Sequence, residues 1–446
     1  MADAATATEQ DRPRALATVG LGGKIELRRH HSAGGVQRRR RHLKSADPND
    51  VALVNYQGVI YMANITINNS PVLVQVDTGS SDLWVSCAYV DNGQCSLTCP
   101  TKSAKIQYGS GTVCVQPTLA PVRFGNISIP NYVVGIAEGP NVQPDSDSSL
   151  LLGNAMGLLG LAYSSIATIP TPGGQIIDYM TSFSIYMTAR ANMPGSFLMI
   201  NEVDYDLISK YNMTGHSIPL KSKTHWTIGM TGLTIGDNPS VFPCATGSRS
   251  SCDALVDTGT SLLVMPTTFF EKFVATYLAP SGCQLNDQVY VCPANIKLPN
   301  LGFTFGTSTF YLSSADYTQQ ISRDEVLVEL QQQQAGPLAD TWVLGDTFLR
   351  MHYTSYVVNE SVIFYCTDGN CSGTNGTAAI SGSTGNNSQT KSALIIAGVV
   401  AGAGLLLALV VMIIQKFCAR KRRHNHPDAP NAMYFPAQTP SGVGHV

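Results

Sequence analysis

The chain has 446 residues, of which 44 % are hydrophobic, and its formal net charge at pH 7 is −2. This length accommodates two or three domains of ordinary size with a substantial core. Residues 51–414 carry more acidic than basic side chains, which argues against a nucleic-acid partner. The same excess suits a protein that works in acid, although ordinary solubility explains it equally well.

Residues 1–50 form a basic segment without the apolar stretch of a secretory signal peptide. We expect a secretory signal peptide that residues 1–50 do not include. A cytosolic tail-anchored protein is the alternative, which the cysteines and sequons described below disfavour. The run Arg38–Arg41 is typical of a processing site for a dibasic-cleaving protease. A nuclear localisation signal is the competing interpretation.

Between residues 51 and 366 short apolar runs rich in Val, Ile, Tyr and Thr alternate with turns rich in Gly, Pro and Asn. Examples of these runs are Val59–Tyr61, Ile127–Ile129, Trp226–Ile228 and Phe303–Phe305. Such runs favour strands, and Thr268–Leu278 is the best candidate for a helix. We therefore predict an all-β fold for this part of the chain.

Two short strings in this region repeat one another: Val76–Ser80 reads VDTGS and Val256–Thr260 reads VDTGT. A single Asp-Thr-Gly is usually an ordinary turn. Each copy here follows an apolar run, which places its aspartate on a tight loop at the end of a buried strand. One loop in each of two similar lobes would bring Asp77 and Asp257 together.

Two carboxyl groups about 3 Å apart cannot both ionise cheaply, so they share a proton and their apparent pKa values separate. The ionised partner can then take a proton from a bound water, while the protonated partner donates to a carbonyl oxygen. This chemistry hydrolyses an amide without a covalent intermediate. We expect Asp77 and Asp257 to titrate as a unit in this role.

The residues beside the two aspartates suit this arrangement. The glycines permit a close turn and leave room for substrate. The hydroxyl-bearing residue after each glycine lies near the outer carboxylate oxygen, and each threonine can donate to the backbone of the opposite loop. Such a satisfied polar network gives a buried site rigidity. The predicted supporting residues are Thr78, Gly79, Ser80, Thr258, Gly259 and Thr260.

All cysteines except Cys418 precede the long apolar segment near the C-terminus, which predicts disulfides in an oxidising compartment. Short spacings favour Cys244–Cys252, Cys283–Cys292 and Cys366–Cys371, with two further bridges among Cys87, Cys95, Cys99 and Cys114. A zinc site is the competing interpretation, which is disfavoured because no His accompanies these pairs at ligand spacing. We therefore predict no metal.

Asn-x-Ser/Thr sequons occur in the same part of the chain and not after residue 388, which agrees with a lumenal location. The candidate glycosylation sites are Asn64, Asn68, Asn126, Asn212, Asn359, Asn370, Asn375 and Asn386.

The C-terminal part of the chain has the pattern of a single-pass membrane anchor. Residues 367–392 are rich in Gly, Ser, Thr and Asn and predict a glycosylated stalk. Residues 393–414 are uncharged and mostly apolar, and at about 1.5 Å per residue a helix of this length spans a bilayer core of about 30 Å. Basic residues begin the tail at 415–446, so we expect a cytoplasmic C-terminus and a type I topology, at the cell surface, in the vacuole or in the secretory pathway.

Longer stretches around the two strings resemble the pepsin-like aspartic protease family over roughly residues 51–366. Asp77–Val85 is close to the family's first-lobe signature through Trp84, and Leu255–Ser261 matches the second. Apolar strands that end near a glycine thread behind the catalytic loops of the family. Here these strands match Leu158–Tyr163 and Trp342–Asp346, and Phe183–Tyr186 resembles the entry into the interlobe connection.

The resemblance implies a bilobal fold of two β-barrel-like lobes, residues 51–190 and 191–366, with the active-site cleft between them. It implies an aspartic endopeptidase that is active in acid, needs no cofactor and prefers bulky apolar residues at the scissile bond. Peptide substrates, a monomeric catalytic unit and inhibition by pepstatin-like compounds follow from the same resemblance. Residues 1–50, with Lys24–Leu27, resemble a propeptide.

Tyr108, Gly109 and Ser110 resemble the tip of the family's flap hairpin, in which the tyrosine covers the substrate and its hydroxyl reaches Trp84. A plain strand tyrosine before a Gly-rich turn is the alternative. The segment from Asp77 to Tyr108 is shorter than in pepsin and its cysteines are crowded, so the substrate wall there departs from the family pattern.

Two other functions compete with proteolysis. A catalytically silent member would bind peptides in the cleft, and loss of an aspartate or glycine from either string would favour it. None is lost. A metal-dependent hydrolase would need HExxH or a comparable cluster, and the nine histidines form none.

Overall fold

The computed structural model describes most of the chain between residues 49 and 372 and one short strand before it. The described residues are 24–25, 49–90, 96, 98–101, 103–108, 111–139, 142, 150–151, 153–236, 238–244, 250–286, 288–336 and 338–372. Their fold is mostly β-structure, arranged in two lobes. The fold class predicted for this part of the chain is therefore confirmed at this level.

The strands are short, and we number them in chain order. The first fourteen are β1 (Lys24–Ile25), β2 (Asp50–Tyr56), β3 (Ile60–Ile67), β4 (Ser70–Asp77), β5 (Leu83–Ser86), β6 (Ala104–Tyr108), β7 (Gly111–Phe124), β8 (Ile127–Glu138), β9 (Gly157–Gly160), β10 (Ser182–Tyr186), β11 (Ser196–Ile200), β12 (Thr214–Pro219), β13 (Thr227–Met230) and β14 (Gly232–Ile235). The others are β15 (Asn238–Pro243), β16 (Cys252–Val256), β17 (Leu263–Met265), β18 (Gln284–Asn286), β19 (Val289–Pro293), β20 (Leu301–Phe305), β21 (Ser308–Leu312), β22 (Thr318–Gln320), β23 (Glu325–Val328), β24 (Leu330–Gln332), β25 (Trp342–Leu344), β26 (Tyr353–Val357), β27 (Ser361–Cys366) and β28 (Cys371–Ser372).

The helices are shorter still: α1 (Tyr205–Lys210), α2 (Thr267–Phe273) and α3 (Asp346–Leu349). Helix α2 runs directly into a π-helical turn at Val274–Leu278, so the helix expected at Thr268–Leu278 is present with a wider final turn. Single 3-10 turns occupy Cys87–Tyr89, Ser164–Ile166, Ile176–Tyr179, Ala279–Ser281 and Ser314–Asp316.

One 14-stranded sheet runs through the first lobe and joins it to the second. Its order is β12-β27-β26-β10-β11-β2-β3-β4-β9-β5-β8-β7-β6, with β1 paired to β2. Strand β10 lies between β11 and β26, so segments distant in sequence meet at the centre of the sheet. This central part of the sheet fixes the position of one lobe against the other.

Three smaller sheets build the second lobe. A five-stranded sheet, β13-β16-β25-β17-β24, carries the second Asp-Thr-Gly loop. The others are β15-β14-β20-β21-β28 and β18-β19-β23-β22. They share an apolar core in which Phe303 meets Trp342 and Phe348 edge to face, with ring centroids 6.1 and 5.4 Å apart. The second loop therefore leaves a strand that is packed on a rigid core.

An aromatic cluster lies where the lobes join. Phe183 stacks on Tyr356 with ring centroids 4.5 Å apart, and Trp226 meets both rings edge to face. The Trp226 indole donates to the Leu161 carbonyl at 2.9 Å, while its own carbonyl accepts the Val256 amide at 3.0 Å. This buried cluster connects a first-lobe strand end to the strand that precedes the second loop.

Each Asp-Thr-Gly loop is threaded by an apolar strand in the same way. Strand β9 is parallel to β4 and antiparallel to β5, and β25 is parallel to β16 and antiparallel to β17. Gly160 ends β9 and Gly345 directly follows β25, because a side chain would not fit at either position. A Cβ on Gly160 would lie 2.6 Å from the Asp82 nitrogen, and one on Gly345 would overlap the Thr260 carbonyl.

Four disulfides are present among the described residues: Cys99–Cys114, Cys244–Cys252, Cys283–Cys292 and Cys366–Cys371. The last three are the pairs that short spacing favours, and Cys99–Cys114 is one pair from the open group of four. Cys87 is also disulfide-bonded, and Cys95 lies outside the described residues. The bridges close short loops at the edges of both lobes.

Where the structure describes them, the sequon asparagines lie in turns, except Asn64, which lies in β3. Asn68, Asn212, Asn359 and Asn370 are exposed, and Asn64 and Asn126 are half-buried. Asn375 and Asn386 lie outside the described residues. Glycosylation at these positions stays a prediction.

Several predicted segments fall wholly or partly outside the described residues. They are the run Arg38–Arg41, most of the stalk 367–392, the span 393–414 and the tail 415–446. Cys371 and Ser372, within the predicted stalk, form β28 against β21, so regular structure continues past residue 366. Lys24 and Ile25 pair in parallel with Asp50 and Val51. No helix in the described part of the chain is long and apolar enough to cross a membrane.

Candidate active site

The two Asp-Thr-Gly loops meet between the lobes and place their carboxylates against each other. Asp77 ends β4, and Asp257 directly follows β16. A Cβ on Gly79 would lie 2.5 Å from Oδ1 of Asp257, and one on Gly259 would lie 2.6 Å from Cγ of Asp77. Only glycine therefore lets each loop approach the opposite carboxylate so closely. The aspartates are 5 % and 2 % exposed, at the floor of the junction.

Each carboxylate receives the same two hydrogen bonds from its own loop. In the first loop the Gly79 amide donates to Oδ1 of Asp77 at 2.8 Å, and the Ser80 hydroxyl donates to Oδ2. In the second loop the amide of Gly259 and the hydroxyl of Thr260 make the equivalent bonds at 2.8 and 2.6 Å. These bonds fix the carboxylate orientations and leave the facing oxygens to interact with each other.

The two threonines lock the loops together. Oγ1 of Thr78 donates to the Val256 carbonyl and Oγ1 of Thr258 donates to the Val76 carbonyl, both at 2.9 Å. Each hydroxyl also accepts the backbone N–H of the other threonine, at 3.0 and 3.1 Å. Because both side chains are fully buried, this symmetric network holds the carboxylates rigidly.

Burial raises the pKa of Asp77 well above its usual value of 3.8, and the nearby Asp257 carboxylate raises it further. Hydrogen bonds from Ser80 and Gly79 lower this pKa but do not outweigh burial. The pair therefore retains one proton at a pH where exposed carboxyl groups would hold none. A shared proton beside an ionised carboxylate is the arrangement that general acid–base hydrolysis needs.

The raised pKa of Asp77 predicts that protein stability falls as the pH rises. A carboxyl with a higher pKa in the folded chain stabilises it fully below the unfolded pKa, and this contribution is lost as the pH passes the folded value. The loss is about 1.4 kcal/mol for each unit of pKa difference. We expect melting curves of Asp77→Asn to change less between acid and neutral pH than those of the wild type. Parallel pH dependences would contradict this.

Tyr108 lies at the end of β6, opposite Gly111 in the β6–β7 hairpin. Its hydroxyl accepts the Trp84 indole N–H at 2.8 Å, and burial together with the Asp77 charge raises its pKa. The two rings are 6.4 Å apart and tilted. Gly109 and Ser110, predicted at the tip, lie outside the described residues. The hairpin thus brings Tyr108 to the first loop, as the flap interpretation requires.

Replacing Tyr108 by phenylalanine should lower kcat/KM for peptide substrates by about tenfold, because the buried Trp84 N–H would lose an acceptor worth about 1–3 kcal/mol. Steady-state kinetics on one peptide would measure the effect. The matched control is Tyr205→Phe, since Tyr205 is 71 % exposed. An unchanged kcat/KM in the Tyr108 variant would show that this hydrogen bond does not position the flap.

A buried ion pair lies behind the second loop and was not expected from the sequence. Arg350 pairs with Glu329, and these side chains are only 8 % and 2 % exposed. Glu329 also accepts a hydrogen bond from Thr347 at 3.2 Å, and Arg350 donates to the Gly58 carbonyl at 3.4 Å. The pair therefore connects a first-lobe turn with the helix that follows the second threading strand.

Asp346 is fully buried beside this pair. Neither of its carboxylate oxygens has a hydrogen-bond partner among the described residues. Burial raises its pKa well above 3.8; Arg350 acts to lower it, and Asp257 acts to raise it. The raised pKa favours the neutral form of Asp346 close to the catalytic loops.

One group of His and Cys residues in the described part of the chain is compact enough to hold a metal: His216, Cys366 and Cys371. Nε2 of His216 lies 3.5 Å from Sγ of Cys371, a proximity that sequence spacing could not reveal. Both cysteines are committed to their disulfide, so they are not available as thiolate ligands.

Two further contacts between the lobes were not predicted from the sequence. Ser261 donates to the Val59 carbonyl in the first lobe, and the Gln75 amide donates to the Gly259 carbonyl at 3.4 Å. Ser261 was within the recognised motif without an assigned role. Gln75 carried one sequence signal: it is a polar residue inside an otherwise apolar run.

Comparison with known proteins agrees with this geometry. Residues 60–365 match the family described as eukaryotic aspartyl protease. Pepsin A of Rhinolophus ferrumequinum is 30 % identical over 326 residues, covering 68 % of this chain and 80 % of the relative. Pepsin II-1 of Oryctolagus cuniculus is 29 % identical over 328 residues, 68 % of this chain and 80 % of the relative. Gastricsin of Rattus norvegicus is 27 % identical over 332 residues, covering 69 % of this chain and 81 % of the relative. The chain belongs to the eukaryotic aspartyl protease family and is an aspartic endopeptidase.

Proposed function

We propose that Asp77 and Asp257 hydrolyse peptide bonds together, by general acid–base activation of one water molecule. The observation that carries this proposal is the symmetric pair of loops, in which each buried carboxylate has the same two donors and faces the other. A water held between the facing oxygens would lie within reach of both groups. The ionised carboxylate takes its proton, and the protonated one donates to the scissile carbonyl oxygen.

The surrounding residues keep this geometry through the reaction. The threonine network holds the loops at a fixed separation, so little reorganisation is needed when charge develops. The β6–β7 hairpin brings Tyr108 close to Trp84 and the first loop, where it would exclude water once a substrate is bound. An extended peptide lying between the hairpin and the loops would bind through main-chain hydrogen bonds.

We expect activity in acid, because the shared proton that the mechanism requires is lost as the pH rises. The raised pKa of Asp77 supports this direction. We expect a preference for bulky apolar side chains on the second-lobe side of the scissile bond, where Leu255, Val264 and Val343 form a buried apolar cluster in the strands around the second loop.

The proposed mechanism can be tested on the full-length protein purified in mild detergent. The probe is hydrolysis of an unfolded protein substrate from about pH 3 to about pH 7, with pepstatin or a metal chelator added in parallel. We expect activity in acid that pepstatin abolishes and the chelator leaves unchanged. Activity that yields only to the chelator would exclude the aspartate mechanism.

We also propose that residues 393–414 anchor the enzyme in a membrane, with both lobes on the lumenal side. The uncharged length of this segment, the basic residues after it and the disulfides before it support this topology. Carbonate extraction of membranes, combined with glycosidase treatment of the intact protein, is the test. Release of the full-length protein by carbonate would refute the anchor.

A further inference from the structure

The two Asp-Thr-Gly strands are nearly equivalent, and they differ in chemical character two residues before the aspartate. The first strand has Gln75 at this position and the second has Leu255. Both residues lie in matching strands, β4 and β16, which are threaded in the same way. This difference breaks the symmetry of the site next to its reacting groups.

In the second lobe, Leu255 and the residues level with it in the neighbouring strands are apolar. Leu255 is level with Val343 in β25, which is level with Val264 in β17. These side chains form a small cluster of their own, separate from the large core on the other face of the sheet. Because side chains alternate along a strand, Leu255 is on the same face as Asp257.

The first lobe has an equivalent row of residues, one of which, Gln75, is polar. Gln75 is level with Leu158 in β9, which is level with Trp84 in β5. Tyr108 contacts the end of this row, where its hydroxyl accepts the Trp84 indole N–H. An amide therefore lies in an otherwise apolar and aromatic enclosure that extends from Asp77 to the flap.

The Gln75 amide points at the centre of the site. Its Nε2 donates across the lobes to the Gly259 carbonyl at 3.4 Å, near the upper limit for a hydrogen bond. The side chain is 6 % exposed, close to the 5 % of Asp77. An amide with a long, weak partner at the floor of a cleft can exchange it for a better one supplied by a ligand.

We propose that Gln75 is a specificity-determining residue that makes the first-lobe side of the site accept a neutral hydrogen-bonding side chain, such as that of Gln, Asn, Ser or Thr. The inference rests on the proposed function of Asp77 and Asp257. A substrate amide or hydroxyl there satisfies the buried Gln75 amide, whereas an aliphatic side chain buries it with poor partners. An acidic side chain is disfavoured by the negative charge of the dyad. On the second-lobe side, Leu255 selects apolar side chains.

The test is a reciprocal exchange in the full-length protein. Wild type, Gln75→Leu and Leu255→Gln are given a peptide library varied on both sides of the scissile bond, and cleavage sites are read by mass spectrometry. For Gln75→Leu we expect the ratio of kcat/KM for Gln-containing to Leu-containing peptides to fall about tenfold on one side of the bond only. Leu255→Gln should raise the same ratio on the other side.

Two results would overturn the specificity role. One is an unchanged cleavage profile in Gln75→Leu, and the other is an equal loss of kcat/KM for all peptides. Gln75→Met provides an unbranched side chain of similar length if the leucine variant does not fold, and the same profile change is expected of it. An Asp257→Asn control separates this inference from the proposed function. Cleavage by that variant at the wild-type rate would refute the mechanism, whereas a control slowed by about 10²-fold or more, together with an unaltered Gln75→Leu profile, refutes only the specificity role.

Discussion

Replacing Asp257 or Asp77 by asparagine should lower kcat/KM for peptide hydrolysis by about 10²- to 10⁴-fold, with the fold intact. Asparagine keeps the shape and one acceptor oxygen for the hydrogen bonds that each loop donates, but it can neither share nor transfer the proton. Steady-state kinetics on a peptide and thermal unfolding of the same preparations would separate catalysis from folding.

The matched control for both variants is Asp253→Asn. Asp253 lies on β16, the strand that leads to Asp257, but its side chain is 51 % exposed and pairs with Lys221 at the surface. It should retain wild-type kinetics. Equal activity losses in all three variants would point to a general effect of mutation, and full activity in Asp77→Asn would exclude a two-carboxylate mechanism.

The largest expected effect on stability comes from the buried pair of Glu329 and Arg350. Changing Glu329 to leucine leaves the guanidinium buried with its charge uncompensated, which should lower the free energy of unfolding by about 3–5 kcal/mol. The exposed pair of Lys221 and Asp253 should be worth about 1 kcal/mol or less. Urea denaturation of Glu329→Leu and Asp253→Asn, measured side by side, gives the comparison.

The double variant Glu329→Leu/Arg350→Met tests the cause of this loss. If the penalty is the unpaired charge, removing the second charge should restore much of the stability. A double variant as unstable as Glu329→Leu alone would show instead that the loss comes from packing, or from the missing contact between Arg350 and the Gly58 carbonyl.

The features that the sequence predicted best are local. The Asp-Thr-Gly strings predicted two loops at strand ends because an apolar run, a short acid and a glycine act within a few residues of each other. The pairs Cys244–Cys252 and Cys283–Cys292 were predicted for the same reason, since short loops close with little choice of partner.

The features that the sequence did not predict depend on contacts between residues that are far apart in the chain. Glu329 and Arg350 meet because Glu329 directly precedes β24, which pairs with β17, and Arg350 directly follows α3, which packs on β17. The contact from Gln75 to Gly259 crosses between lobes over 184 positions. A buried glutamate or glutamine has no sequence pattern that distinguishes it from an exposed one, because its burial depends on tertiary packing.

The pairing of the first four cysteines was predicted only in part. Spacing alone left several pairings open among Cys87, Cys95, Cys99 and Cys114. The structure pairs Cys114 with Cys99 because the β6–β7 hairpin brings them together, with Cα atoms 5.5 Å apart. The register of β7 against β6, which places Cys114 opposite Lys105, decides this pairing and cannot be read from cysteine spacing.

The shared-proton dyad is tested most directly by the pH dependence of kcat/KM in the wild-type enzyme. Measured on one uncharged peptide from about pH 2 to about pH 8, the profile should be bell-shaped with its maximum in acid. The alkaline limb reports loss of the proton that Asp77 and Asp257 hold between them, and the acid limb reports protonation of the ionised partner. A rate that rises through neutral pH with a single ionisation would contradict the paired carboxylates.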